Sequence, residues 1–243
     1  MGSFFHIESF GISDVGLIRK SNEDVFRELP KEKFFVLADG MGGHNAGEVA
    51  ALCAVEYMCS AVQNLFIQGQ EASAIDELEN HLGSLIENTN LWIHHLGASD
   101  PTLHGMGTTL CSTLFFKESI IYSHVGDSRI YRVRDYELQQ LTKDHTFSAT
   151  KENAKNVSLS RKVLARALGT SIAVLPEVKS EVAQGGDLYL MCSDGLSDLV
   201  PHARIQEITT SSPSLSTIGE MLINEAKASG GHDNITLLLM RLE

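Results

Sequence analysis

Acidic residues recur beside small ones in five places along this sequence: Asn22-Glu23-Asp24, Asp39-Gly40-Met41-Gly42-Gly43, Gly126-Asp127-Ser128-Arg129, Ser193-Asp194-Gly195-Leu196-Ser197-Asp198 and Gly231-His232-Asp233-Asn234. A lone Asp-Gly or Gly-Asp pair means a turn, because Gly accepts positive φ and Asp caps its own backbone. The set means more, because Asp39, Asp194 and Asp233 each adjoin an apolar run. Strands can bring such ends together. Carboxylates crowded at one end of a sheet repel unless cations bridge them, and ligands that are all oxygen suit hard ions such as Mg²⁺ or Mn²⁺.

The elements that must position these groups are legible in outline. Phe34–Ala38 is a short apolar run that breaks at Asp39-Gly40, as a buried strand entering a loop does. Apolar residues at helical spacing then predict a helix from Ala46 to about Phe66 and another from about Glu71 to Leu96. Thr108–Phe116, Ser119–Val125, Arg129–Arg134 and Glu137–Leu141 read as a meander of antiparallel hairpins. Residues 142–176 lack a clear period; a surface excursion with polar helical stretches is expected there. A strand at Asp187–Cys192, helices near Ala203–Thr209 and Thr217–Ala228, and a closing strand Asn234–Leu242 complete the chain. Strand clusters alternating with helix pairs indicate a sheet-rich α+β domain rather than a doubly wound one. With 243 residues, no linker and no internal repeat, one domain is expected over 1–243.

The string Val36-Leu37-Ala38-Asp39-Gly40-Met41-Gly42-Gly43-His44 resembles the bacterial form of a motif of the metal-dependent protein phosphatases of the 2C type. So do Gly16-Leu17-Ile18-Arg19-Lys20-Ser21-Asn22-Glu23-Asp24, Gly107-Thr108-Thr109, Gly126–Arg129, Leu141-Thr142-Lys143-Asp144-His145, Ser193–Leu196 and Asp233-Asn234-Ile235-Thr236. Each motif alone is weak, but their order and spacing match from about residue 10 to the last strand. The resemblance implies a four-layer α-β-β-α sandwich, two antiparallel sheets flanked by helix pairs, with residues 142–176 as the flap. It implies hydrolysis of phosphoserine and phosphothreonine at two Mn²⁺ or Mg²⁺ ions, with a weaker third ion. By position, Asp39 would bridge both core ions, Asp194 and Asp233 would hold the first, and the Gly40 carbonyl would hold the second, with Glu23 acting through water. Asp127, with Asp194 and Asp198, would form the third site. Arg19 would grip the substrate phosphate as a planar fork. Two such ions lower the pKa of a bridging water and screen the phosphoryl oxygens, so attack would be in line on phosphorus with no phosphoenzyme. A serine/threonine kinase would be the opposing partner.

The position after Asp39-Gly40, where some members carry a general-acid His, is Met41; His44 is the nearby candidate. The adjacent His94 and His95 point different ways on a helix and are expected at the surface. Within the flap, only Arg166-Ala167-Leu168-Gly169 resembles the family's usual sequence.

Composition excludes several classes. The 19 Lys+Arg against 31 Asp+Glu give a net charge of −12, which argues against nucleic-acid binding. No apolar run approaches the roughly 20 residues that span a bilayer, and the N-terminus has neither a signal peptide's pattern nor a myristoylation signal. The four cysteines stand apart, with no Cys-x-x-Cys pair for zinc. A cytoplasmic monomer is expected. No Cys-x₅-Arg loop, Gly-x-Ser-x-Gly elbow or Gly-Lys-Ser/Thr string is present. A phosphatase-like module that only binds phosphoproteins is the alternative reading; loss of a metal aspartate would be its signature, and none is missing.

Overall fold

The computed structural model describes residues 5–42, 46–67, 74–152, 158–212 and 214–243. In chain order its strands are β1 (Ile7–Asp14), β2 (Asp24–Leu29), β3 (Phe34–Met41), β4 (Gly107–Thr108), β5 (Leu110–Phe116), β6 (Ser119–Val125), β7 (Arg129–Arg134), β8 (Glu137–Gln140), β9 (Thr146–Glu152), β10 (Ser158–Leu164), β11 (Glu177–Val182), β12 (Leu188–Cys192) and β13 (Ile235–Leu242). The helices are α1 (Ala46–Ile67), α2 (Ile75–Ser99), α3 (Asp194–Ser197), α4 (His202–Ser211) and α5 (Leu215–Ala228). One antiparallel sheet runs β1-β13-β12-β7-β8 and the other β11-β6-β5-β3-β2, with β4 paired to β3.

The apolar runs are uninterrupted because the central strands are covered on both faces. Along β3, Phe34, Val36 and Ala38 face α1 and α2, while Phe35 and Leu37 face the other sheet. Along β13, Ile235, Leu237 and Leu239 pack with α4 and α5, while Leu238, Met240 and Leu242 fill the space between the sheets. Side chains alternate across a strand, so each sheet serves two cores at once. The result is four layers, α-β-β-α, as the resemblance implies. Among the described residues, no helix is long and apolar enough to cross a membrane.

Three differences from the sequence reading bear on the site. First, β3 continues through Asp39 and Gly40 to Met41, so these residues lie in a strand rather than the loop after it. Second, residues 142–176 contain no described helix: β9 and β10 pair only with each other, as a hairpin off both sheets. Pairing of Thr146–Glu152 with Ser158–Leu164 satisfies the backbone of both strands. The excursion ends where Leu168, fully buried, bridges Thr108. Third, β1, β2 and β11 are strands that the apolar pattern does not mark. All are sheet edges.

Candidate active site

Both sheets deliver acidic residues to one end of the sandwich. Asp24 opens β2 directly opposite Asp39 of β3. The Asp39 backbone is fixed on both sides: its N–H donates to Thr109 Oγ1 at 3.0 Å, and its carbonyl accepts from Thr109 N at 2.9 Å and Thr108 Oγ1 at 2.9 Å. Thr109 Oγ1 also meets Ser128 Oγ at 2.7 Å, beside Asp127 in the β6–β7 turn. Asp194 starts α3, straight after β12, and Asp233 precedes β13. Ser193 Oγ donates to Asp24 Oδ2 at 2.8 Å and accepts from Thr236 N at 3.0 Å, joining the two sheets behind the cluster.

Gly40 has no room for a side chain. A Cβ there would lie 2.2 Å from the Gly47 carbonyl oxygen and 2.7 Å from that of Glu23. The β3 strand and the start of α1 therefore approach backbone to backbone, and Gly40 N donates to Glu23 O at 3.1 Å.

Electrostatics show how tightly the carboxylates are gathered. Burial raises the Asp39 pKa well above its ordinary value, and Asp24, Asp194, Asp233 and Asp127 each push it further. Asp24, also buried, is pushed up to about 6 against the hydroxyl donors Thr236 and Ser193, with Asp233 adding to the rise. Its Oδ1 is buried with no hydrogen-bond partner. Glu23 is raised by burial and by Asp233 and Glu48, against the pull of Arg19. Arg19 Nη2 donates to Asp233 Oδ2 at 2.7 Å. Burial opposes the Arg19 charge, but Asp233, Glu23 and Asp39 outweigh it and raise its pKa. A buried aspartate amid four others, an orphaned carboxylate oxygen and oxygen-only donors fit divalent cations of the Mg²⁺ or Mn²⁺ kind.

Arg19, Glu23, Asp39, Gly40, Asp127, Asp194 and Asp233 converge at this end. Asp198 ends α3, its N–H on the Asp194 carbonyl at 2.8 Å and its Oδ1 3.9 Å from Arg129 Nη2. His44 lies outside the described residues. Thr108 and Thr109 fix the Asp39 backbone, Ser193 holds Asp24, Asn234 bonds Asp233 and the Glu23 backbone, and Asp24 lines the cluster. All five lie inside the quoted motifs, but nothing in residue type alone marks them for these tasks. His94 packs its Nδ1 3.0 Å from the Gly169 carbonyl, half-buried rather than at the surface.

A second group has the composition of a metal site and not its geometry. His124, His145 and Glu177 bring ligand atoms within 4.8 Å of one another. A shared ion must lie near the plane of both imidazoles, yet the two rings stack at 4.4 Å with 19° between planes. Gly126 N donates to His145 Nδ1 at 3.2 Å, which leaves the proton on Nε2 for Glu177 Oε1 at 3.2 Å. The Arg166 guanidinium, 3.3 Å from that same nitrogen, already supplies a cation. The trio is a structural network that clamps Gly126, the residue before Asp127. Burial lowers the pKa of both His124 and His145 from the ordinary 6.5. A depressed folded pKa contributes stability that is present above 6.5 and lost as pH falls through the folded values. The raised carboxylates of the cluster act in the opposite sense over this range, so the histidine contribution is read as a difference. As pH falls from 7 to 5, the stability of His124→Gln relative to the parent should rise in chemical denaturation; a constant difference would contradict the assignment.

Comparison with known proteins agrees with the geometry. The chain is 36% identical to the serine/threonine phosphatase stp of Listeria innocua, over 94% of this chain and 93% of the relative. It is 32% identical to the protein phosphatase PhpP of Streptococcus pneumoniae, over 95% and 96%. The crystal structure of the Mycobacterium tuberculosis serine/threonine phosphatase PstP/Ppp superposes with a TM-score of 0.83 at 33% identity, covering 98% of this chain and 99% of that one. The catalytic domain of PstP in complex with two manganese ions gives 0.80 at 34%, covering 97% and 98%. The protein phosphatase 2C family model matches residues 19–234, a span that holds every carboxylate of the cluster together with Arg19, and the chain belongs to that family.

Proposed function

We propose that this protein hydrolyses phosphoserine and phosphothreonine in proteins, with two divalent cations held by the carboxylate cluster. The observation that carries this reading is the convergence of Asp24, Asp39, Asp127, Asp194 and Asp233 beside one guanidinium, Arg19. Asp39, Asp194 and Asp233 would hold one ion, and Asp39, the Gly40 carbonyl and Glu23 would hold the other. Asp127, with Asp194 and Asp198, supplies a weaker third site. When bound, the ions lower the pKa of water and screen the charge on the phosphoryl oxygens.

The chain's own residues do the rest. Arg19 presents a planar fork to the phosphate dianion, and Asp233 holds that fork at the edge of the cluster. Cys111 and Cys192, the cysteines on strands leading to the cluster, are poor nucleophiles: burial keeps Cys111 protonated and lifts Cys192 to about 12. In this reading the phosphoryl group passes directly to water. His44 remains the candidate proton donor to the leaving alkoxide. A serine/threonine kinase that makes the substrates, a cytoplasmic location and a monomeric state belong to the same proposal.

Hydrolysis of p-nitrophenyl phosphate and of a phosphothreonine peptide tests it. Turnover is expected with Mn²⁺ and with Mg²⁺, Mn²⁺ serving at least as well, and none after EDTA. Full activity after exhaustive chelation would overturn the reading.

A further inference from the structure

Asn234 uses its whole side chain to hold one loop. Its Oδ1 accepts from Glu23 N at 2.9 Å, and its Nδ2 donates both to the Val15 carbonyl at 3.1 Å and to the Ser21 carbonyl at 2.9 Å. These partners bracket residues 15–21, the loop that carries Arg19. Asn234 is itself buried, 5% exposed. On one side the Gly195 backbone presses against it, since a Cβ on Gly195 would lie 1.9 Å from the Asn234 carbonyl oxygen. Its own N–H donates to Asp233 Oδ1 at 2.8 Å, leaving Asp233 Oδ2 to receive Arg19. The rest of the loop docks on the same segment: Leu17 N donates to Gly231 O at 2.6 Å. Gly16, at φ +78°, lies so close to the Asp233 carbonyl that a Cβ would sit 2.2 Å away.

Arg19 has no such anchorage of its own. Its side chain is half-exposed and, among the described residues, pairs with Asp233. A long, rotamer-rich side chain on an exposed loop is a poor phosphate grip unless the backbone beneath it is fixed, because ordering it on binding would consume the contact's free energy. The buried carboxamide supplies that fixing.

We propose that Asn234 is a positioning residue that sets Arg19 for the substrate phosphate by clamping both ends of the Arg19 loop to the segment that carries Asp233 into β13. This rests on the proposed role of Arg19, but the clamp can be tested without it. Asn234→Asp keeps the acceptor for Glu23 N and turns the donor into an oxygen facing two carbonyls. Asn234→Ala removes all three bonds without adding charge, which controls for the new carboxylate beside Asp233.

The first readout is limited trypsin digestion of the folded protein. A pinned loop resists cleavage because cutting requires local opening. Cleavage after Arg19 or Lys20 should accelerate roughly tenfold or more in both variants, while cleavage after the exposed Lys31, in the turn between β2 and β3, should be unchanged. No acceleration at Arg19 and Lys20, or equal acceleration at Lys31, would overturn the clamp. The second readout is a cycle with Arg19→Ala on the phosphothreonine peptide. In the parent, Arg19→Ala should raise KM about tenfold, as loss of a charge-assisted hydrogen bond does; in the Asn234→Asp background it should raise KM less than about twofold. A full tenfold effect in both backgrounds would make Asn234 a merely structural residue and overturn the inference. Should Arg19→Ala leave KM unchanged in the parent, the phosphate role of Arg19 fails, and the digestion alone then decides the clamp.

Discussion

Asp39→Asn should lower kcat by about 10³-fold, the scale expected when about 4 kcal/mol of charge stabilisation is withdrawn from a metal-assisted displacement. The Asp39 backbone is held by Thr108 and Thr109, so the amide would occupy the carboxylate's place without moving the strand. The metal-free protein should fold at least as well as the parent. Asp39 is the most encumbered member of the cluster, pushed up by burial and by four aspartates, and neutralising it relieves that repulsion. Added Mn²⁺ stabilises whichever state binds it by mass action. Melting with and without Mn²⁺ should therefore show a large upward shift in the parent and a small one in Asp39→Asn. Activity within threefold of the parent would remove Asp39 from the bridging position.

This result would also test how far sequence alone could reach. Central strands were legible because both faces are buried: Phe34–Ala38 and Leu237–Met240 are unbroken apolar runs serving two cores each. Edge strands were not. β1, β2 and β11 have one neighbour apiece and carry Glu8, Arg27 and Lys179 among their apolar residues, so nothing in their composition separates them from loops. The β9–β10 hairpin was hidden for the same reason, since its two strands pair only with each other. At the site, the aspartates were legible because acidic residues next to glycine at strand ends form a pattern. Their supports were not, because a Thr, Ser or Asn that hydrogen-bonds a distant backbone looks like any polar residue until the partner is known. Asp24 illustrates the limit: it is adjacent to Glu23 in the chain, yet only the β2–β3 register places it opposite Asp39.

Arg129→Ala should destabilise the protein by about 3 kcal/mol, the lower end for removing one partner of a buried ion pair. Arg129 opens β7 opposite Cys192, the last residue before the segment carrying Asp194. It forks onto Asp144, with Nε to Oδ1 at 2.9 Å and Nη2 to Oδ2 at 2.8 Å, and its Nη1 reaches Tyr131 Oη at 3.2 Å. Both charges are mostly covered, with side chains 20% and 17% exposed, so solvent screens the pair little. The Asp144 fork, acting against burial, raises the Arg129 pKa. Removing the guanidinium would take both bonds of the fork from Asp144, which also accepts from Gln140 Nε2 at 3.2 Å. For a domain of this size, about 3 kcal/mol is roughly 6–12 °C in Tm. Arg129→Lys should recover less than half, because an ammonium cannot reproduce the two parallel bonds. The double variant Arg129→Ala with Asp144→Asn should be more stable than Arg129→Ala alone, since the carboxylate that lost its bidentate partner is then neutral. Arg129 Nη2 also lies 3.9 Å from Asp198 Oδ1, at the end of the helix that begins with Asp194. Loosening that helix should raise the Mn²⁺ concentration for half-maximal activity several-fold, while saturating Mn²⁺ restores most of kcat. A denaturation midpoint within about 1 kcal/mol of the parent would reduce the fork to an exposed ion pair of little consequence.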